Sequence, residues 1–138
     1  MVKRHELPKY EAETTGIIVR ARPKFRYDEP EPAKGVFFWS YTIEVENASD
    51  RVWTLTRRYW TIVDAKGRNQ IVEGEGVVGQ TPTLQPGERF SYTSGCPLSA
   101  PSGMMSGFYD FVDETGAALK AIIPPFSLDS PYDTSLPS

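Results

Sequence analysis

The residues most suggestive of chemistry are Gly74, Gly76 and Gly79. They stand in the run Gly74-Glu75-Gly76-Val77-Val78-Gly79, which matches the G-x-G-x-x-G spacing of phosphate-cradling loops. In a dinucleotide-binding domain that run opens a helix whose N-terminus receives the pyrophosphate. Here Pro82 and Pro86 follow, and neither tolerates a continuing helix. Two readings remain. The glycines let a long inter-strand loop turn, or successive backbone N–H groups form a nest for an anion. In the second reading Arg57 and Arg58 supply counter-charge for a phosphate-containing small ligand, and Glu73 and Glu75 oppose it.

A second constellation is the stripe Arg20, Arg22, Lys24 and Arg26, with alternate residues of one parity all cationic. On a strand such residues sit ~7 Å apart on one face, close to the spacing of phosphates along an extended chain. The same stripe also protects an edge strand, because charge deters edge-to-edge pairing. A partner protein could then add a strand at that edge. The stripe has no interleaved aromatics, and the net charge is −3, so nucleic acid is not expected as a partner.

The inventory for catalysis is thin. His5 is the single histidine and lies in the N-terminal stretch, so any Ser/His or Cys/His pair would have to use it. Cys96, the single cysteine, sits in the turn-like Ser94-Gly95-Cys96-Pro97 and reads as a small core or turn thiol. A zinc site lacks ligands. Asp110, Asp113 and Glu114 are the nearest oxygen cluster, and hairpin-turn duty accounts for the last two. No catalytic residue, no metal ligand set and no cofactor is expected.

The elements that position these residues are strands. Ile17, Val19, Ala21 and Phe25 alternate with the basic stripe, and Pro23 predicts an edge or a strand end. Trp39, Tyr41, Ile43 and Val45 alternate with polar residues in Val36–Glu46. In Arg51–Asp64 the apolar parity changes between Trp53/Leu55 and Trp60/Ile62, which predicts a β-bulge near Arg57-Arg58-Tyr59. Asp64-Ala65-Lys66-Gly67 and Asp113-Glu114-Thr115-Gly116 read as hairpin turns with glycine at the position needing positive φ. Further strands are predicted over 69–72, 89–94, 107–112 and 118–123, with Pro124-Pro125 ending the last. Asn47-Ala48-Ser49 matches a glycosylation acceptor but reads as a turn.

Seven strands without an amphipathic helix predict an all-β, two-sheet sandwich of the immunoglobulin or fibronectin type III kind. At 138 residues the chain suits one domain, read as residues 1–128 with a loose tail over 129–138 that begins to show its Ser, Asp and Pro content at Ser127. The N-terminus has no apolar signal region, and no apolar run is long enough to span a bilayer. One cysteine permits no intrachain disulfide, so a cytoplasmic protein without membrane insertion is expected.

Several segments together resemble the bacterial ApaG family. They are Tyr41–Asn47, Tyr59–Asp64, Gly74–Gly79, Leu84–Glu88, Tyr92–Leu98, Pro101–Met105 and Ile123–Phe126, in order over roughly residues 10–128. The resemblance implies a fibronectin type III-like sandwich, a genetic association with cobalt resistance and magnesium efflux, and a gene that neighbours one for a diadenosine tetraphosphate hydrolase. It also implies protein binding, since related domains occur in eukaryotic F-box proteins and in a DNA polymerase-interacting protein. Where the family often carries Arg-His-Trp, this chain has Arg58-Tyr59-Trp60. The expected function is therefore a non-enzymatic binding module acting through a protein partner. The alternative is a sensor of phosphate, pyrophosphate or dinucleoside polyphosphate at the Gly74–Gly79 loop.

Overall fold

Among the described residues, alternating sequence patterns fold into nine antiparallel strands. A computed structural model describes residues 10–28 and 32–133, and His5 lies outside them. The strands are β1 (Tyr10–Thr14), β2 (Ile17–Phe25), β3 (Phe37–Asn47), β4 (Trp53–Asp64), β5 (Asn69–Glu75), β6 (Thr83–Leu84), β7 (Arg89–Leu98), β8 (Gly103–Asp113) and β9 (Ala118–Leu128). One 3-10 turn, Pro32–Lys34, lies between β2 and β3. Among the described residues no helix is long and apolar enough to cross a membrane.

Two sheets form the sandwich expected from the sequence. One has the order β1-β2-β3-β7 and the other β5-β4-β8-β9, with β6 on the same edge of β4 as β5. Trp39, Tyr41, Ile43 and Val45 from β3 are buried with Trp53, Leu55, Trp60 and Ile62 from β4. Trp60 makes edge-on contacts with Tyr41, Tyr109 and Phe126, at centroid distances of 5.3, 6.5 and 5.9 Å. On one side of the sandwich β1 bonds across to β9. The Tyr10 hydroxyl meets Ser127 Oγ at 3.3 Å, and Thr14 Oγ1 accepts the Ile122 N–H at 3.1 Å.

Four local expectations need correction. β1 is a strand the sequence reading omits, joined to β2 by a turn at Thr15-Gly16 with φ of 48° and 86°. A non-glycine at positive φ is rare, so Thr15 hid the turn. The two-residue β6 was also missed, being too short to show periodicity. Pro124-Pro125 do not end β9. It runs on to Leu128, because it has one ladder partner, β8, and a register shift opposite Met105–Gly107 absorbs the extra residue. The stretch expected to loosen from Ser127 is fastened as far as Asp133. Trp39 Nε1 donates to the Asp129 carbonyl at 2.7 Å, Ser130 Oγ to the Pro101 carbonyl, and the Tyr132 ring packs on Phe25 and Phe37.

The bulge in β4 is present, one residue before the predicted segment. Register against β8 shifts between Leu55 and Arg57, leaving Thr56 as the extra residue. That slip keeps Trp53 and Leu55 buried ahead of it and Trp60 and Ile62 buried behind it.

Candidate functional site

The two outer faces of the sandwich differ in chemistry. Over β2 and β3 the outward residues are polar apart from Ile18 and Phe38 near the strand ends, and Arg20 sits among the polar ones. Its Nε donates to Glu11 at 2.7 Å, and one Nη1 donates to both Glu44 and Glu46 at 2.8 Å. Arg26 pairs with Asp28 through two hydrogen bonds of 3.0 and 2.8 Å. Arg22 and Lys24 make no ion pair among the described residues. Nor is β2 simply an edge: β1 covers it as far as Ala21, and among the described residues strand pairing on that side stops there. The expected partner-binding edge is thus confined to the segment carrying Arg22 and Lys24, where Pro23 has no ladder donor to lose.

The outer face of β5-β4-β8-β9 is apolar. Cross-strand register places Val63 beside Met104, Ile71 beside Thr61, and Tyr59, Phe108 and Ile122 in one row. Val63, Ile71, Met104 and Ile122 are 38%, 50%, 49% and 48% exposed, so four large apolar side chains face outward on a single sheet. Tyr59 and Phe108 stack at 4.9 Å, 11° from parallel, and Lys120 Nζ lies 4.3 Å from the Phe108 centroid. The neighbouring row carries Arg57, Asp110 and Lys120; Lys120 pairs with Asp110 at 2.9 Å, and Arg57 pairs at 3.2 Å with Glu73, which stands opposite Tyr59.

The sequence reading missed this face, though a signal existed. Tyr59-Trp60, Ile62-Val63, Ile71-Val72, Met104-Met105, Phe108-Tyr109 and Ile122-Ile123 are adjacent apolar pairs inside strands. Because successive strand residues point to opposite sides, each pair places one member in the core and the other outside.

The glycine run is folded tightly. Gly74 belongs to β5, while Gly76, Val78 and Gly79 have φ of 65°, 41° and 79°. Val77 and Gln80 exchange backbone hydrogen bonds of 2.8 Å around Val78-Gly79, and the Gly76 N–H donates to the Thr56 carbonyl at 2.7 Å. The amides of Gly76 and Val77 within the run, and of Gln80 just after it, are therefore turned to protein acceptors. Arg57 points outward to Glu73. Arg58 points inward, and its Nη1 donates to the carbonyls of Glu75 and Gly76 at 3.1 and 3.0 Å. Gly74 permits that pose, since a Cβ there would stand 3.1 Å from both terminal guanidinium nitrogens.

The remaining candidates are structural in their contacts. The Asp113 carboxylate accepts from the Thr115 hydroxyl and amide, the Ala117 amide and Arg51 at 2.7–2.9 Å, closing the β8–β9 turn. Asp110 pairs with Lys120. Asn47 is buried, with its Nδ2 donating to the Arg51 and Leu84 carbonyls and its Oδ1 accepting from Ser49. Cys96 is buried between the sheets, and desolvation pushes its thiol up to about 11. Among the described residues no three His, Cys, Asp or Glu side chains group as metal ligands.

Residues 27–113 match the ApaG domain family, from the residue after the basic stripe to the Asp113 turn. This chain belongs to the ApaG family. Protein ApaG of Methylorubrum extorquens is 47% identical over 89% of this chain and 95% of its own length. Protein ApaG of Bradyrhizobium diazoefficiens is 49% identical over 88% of this chain and 94% of its own. A structural-genomics crystal structure of a Bordetella pertussis protein superposes with a TM-score of 0.81 at 35% identity, covering 92% of this chain and 99% of that one. The ApaG match spans the bulge, the inward Arg58 and most of the outer apolar face. It leaves out β1, β2 and β9.

Proposed function

We propose that this ApaG domain is a non-catalytic binding module that engages a protein partner through the outer face of β5-β4-β8-β9. The observation that carries the reading is the exposure of Val63, Ile71, Met104 and Ile122 on one sheet face, around the Tyr59–Phe108 stack. Burying such side chains releases about 25 cal/mol per Å² of apolar surface, and flat aromatic-rich patches are where interface energy concentrates. The adjacent charges neutralise one another as Arg57–Glu73 and Lys120–Asp110 pairs, so the fitting partner presents an apolar patch rather than a charged one. Tyr59 stands where the family often has histidine and gives this face its stacked aromatic centre. Any bearing of the family on cobalt and magnesium would then be exercised through that partner.

The test is site-specific photo-crosslinking in cells. A benzophenone side chain is placed at Ile71 or Met104, and at Thr42 or Thr93 on the opposite sheet as controls. The proposal expects one discrete adduct, either with another protein or with a second copy of the chain, from positions 71 and 104 alone. Equal adducts from both faces, or none from positions 71 and 104, would overturn it.

A further inference from the structure

On the side of the sandwich away from β1 and β9, the edge strands β5 and β7 enclose a cavity of about 230 Å³. Its walls are Tyr41, Trp60, Val72, Cys96 and Met105, drawn from both sheets. Arg58 reaches in from β4, opposite Ser94 of β7. An arginine pointed between two sheets is costly unless its charge is matched. Arg58 has no carboxylate partner among the described residues. Its protein hydrogen bonds, to the carbonyls of Glu75 and Gly76, both run through Nη1. They hold the guanidinium plane still and leave its Nε and Nη2 edge for another acceptor. The positive charge is also felt by the hydroxyls of Tyr41, Tyr92 and Tyr109, which places it within the field of the inter-sheet space.

We infer that this cavity is a binding site for a small organic carboxylate with an apolar body, of roughly benzoate size. The planar carboxylate matches the free guanidinium edge in a bidentate pair, with the Tyr41 and Ser94 hydroxyls close by. The apolar body lies against Trp60, Val72 and Met105. A volume of about 230 Å³ falls below the ~300 Å³ at which drug-sized pockets begin, so the ligand is fragment-sized. A phosphate dianion suits it poorly, because the walls offer few donors to replace its hydration. The site opens on the opposite side of β4 from the apolar outer face and does not depend on it.

The test is an amide-resolved NMR titration of the full chain with benzoate, and separately with inorganic phosphate. Benzoate is expected to shift the amides of Val72, Ser94 and Cys96 and the Trp60 indole, with saturation, and phosphate is not. Arg58→Lys should weaken benzoate by about tenfold or more, since it removes the bidentate edge and keeps the charge. Because Arg58 also staples the loop, Val72→Phe is the second variant: it fills the cavity, leaves Arg58 in place, and should abolish the shifts. The inference fails if benzoate gives no saturable shifts, if Val72→Phe leaves them unchanged, or if phosphate reproduces them.

Discussion

The hydroxyls of Tyr92 and Tyr109 meet in the interior, one from each sheet, and share a hydrogen bond. Removing either leaves the other buried without its partner, a situation that costs about 1–3 kcal/mol. Tyr109→Phe and Tyr92→Phe should each lower stability by that much in urea unfolding. The double variant should lose clearly less than the sum of the two. Strict additivity would show that the bond contributes nothing.

The same pair sets the alkaline limit. Burial, above all, pushes both hydroxyls well above the usual tyrosine value. An unfolded chain releases these protons near pH ~10, whereas the folded protein retains them. Stability present below that pH is therefore lost as the pH rises beyond it. Thermal melts between pH 8 and 11 should show the decline, and the double phenylalanine variant should flatten it.

Asp113 sets an acid limit of opposite sign. The Thr115 hydroxyl, the Ala117 and Thr115 amides and Arg51 hold its carboxyl far below the ordinary carboxylate range. In the unfolded chain it takes up a proton near pH ~4. Its contribution is present above that pH and disappears as the pH falls. Asp113→Asn should lower the melting temperature at neutral pH and reduce the slope of melting temperature against pH below pH ~4. An unchanged slope would mean the turn does not depend on the charge.

Gly107 lies where β8 crosses β4 at close quarters. A Cβ there would stand 1.9 Å from the Tyr59 carbonyl oxygen. Gly107→Ala should cost about 3 kcal/mol, or roughly 10 °C in melting temperature. Ser106→Ala, next to it, should stay within about 0.5 kcal/mol. Comparable melting curves for the two would refute the steric argument.

With its thiol raised to about 11, Cys96 is almost wholly protonated at pH 8. It should react with a disulfide reagent far more slowly in the native protein than in urea. A native rate matching that of the denatured chain would place the thiol at the surface instead.

Much of this was legible in sequence. Period-2 alternation located the cores of β2, β3 and β4, and the change of parity between Leu55 and Trp60 required a bulge that β4 contains at Thr56. Paired Asp and Gly residues marked both hairpin turns, where Gly67 and Gly116 have φ of 80° and 86°. The resemblance to ApaG was carried by motifs that the family match largely spans. What stayed hidden has physical causes. Thr15 masks a turn that glycine would have announced, and two residues of β6 cannot show a period. Prolines that would break a central strand are accommodated by β9 at the sheet margin. The glycine run is conspicuous in the sequence because its spacing matches a motif, although the helical context of that motif is missing. Neighbouring apolar residues such as Ile71-Val72, by contrast, belong to no motif.

One consequence of the Thr56 bulge lies in heredity rather than packing. Beyond it, Arg57, Tyr59, Thr61 and Val63 look outward while Arg58, Trp60 and Ile62 look inward. Neighbouring codons therefore answer to different selective pressures. A point substitution can retune the outer apolar surface and leave the interior cleft untouched, or the reverse. A one-codon insertion or deletion between Thr56 and Trp60 would exchange the two sets wholesale. In a comparison of relatives, substitutions along β4 should accordingly vary in two independent alternating series, with length changes excluded from this stretch.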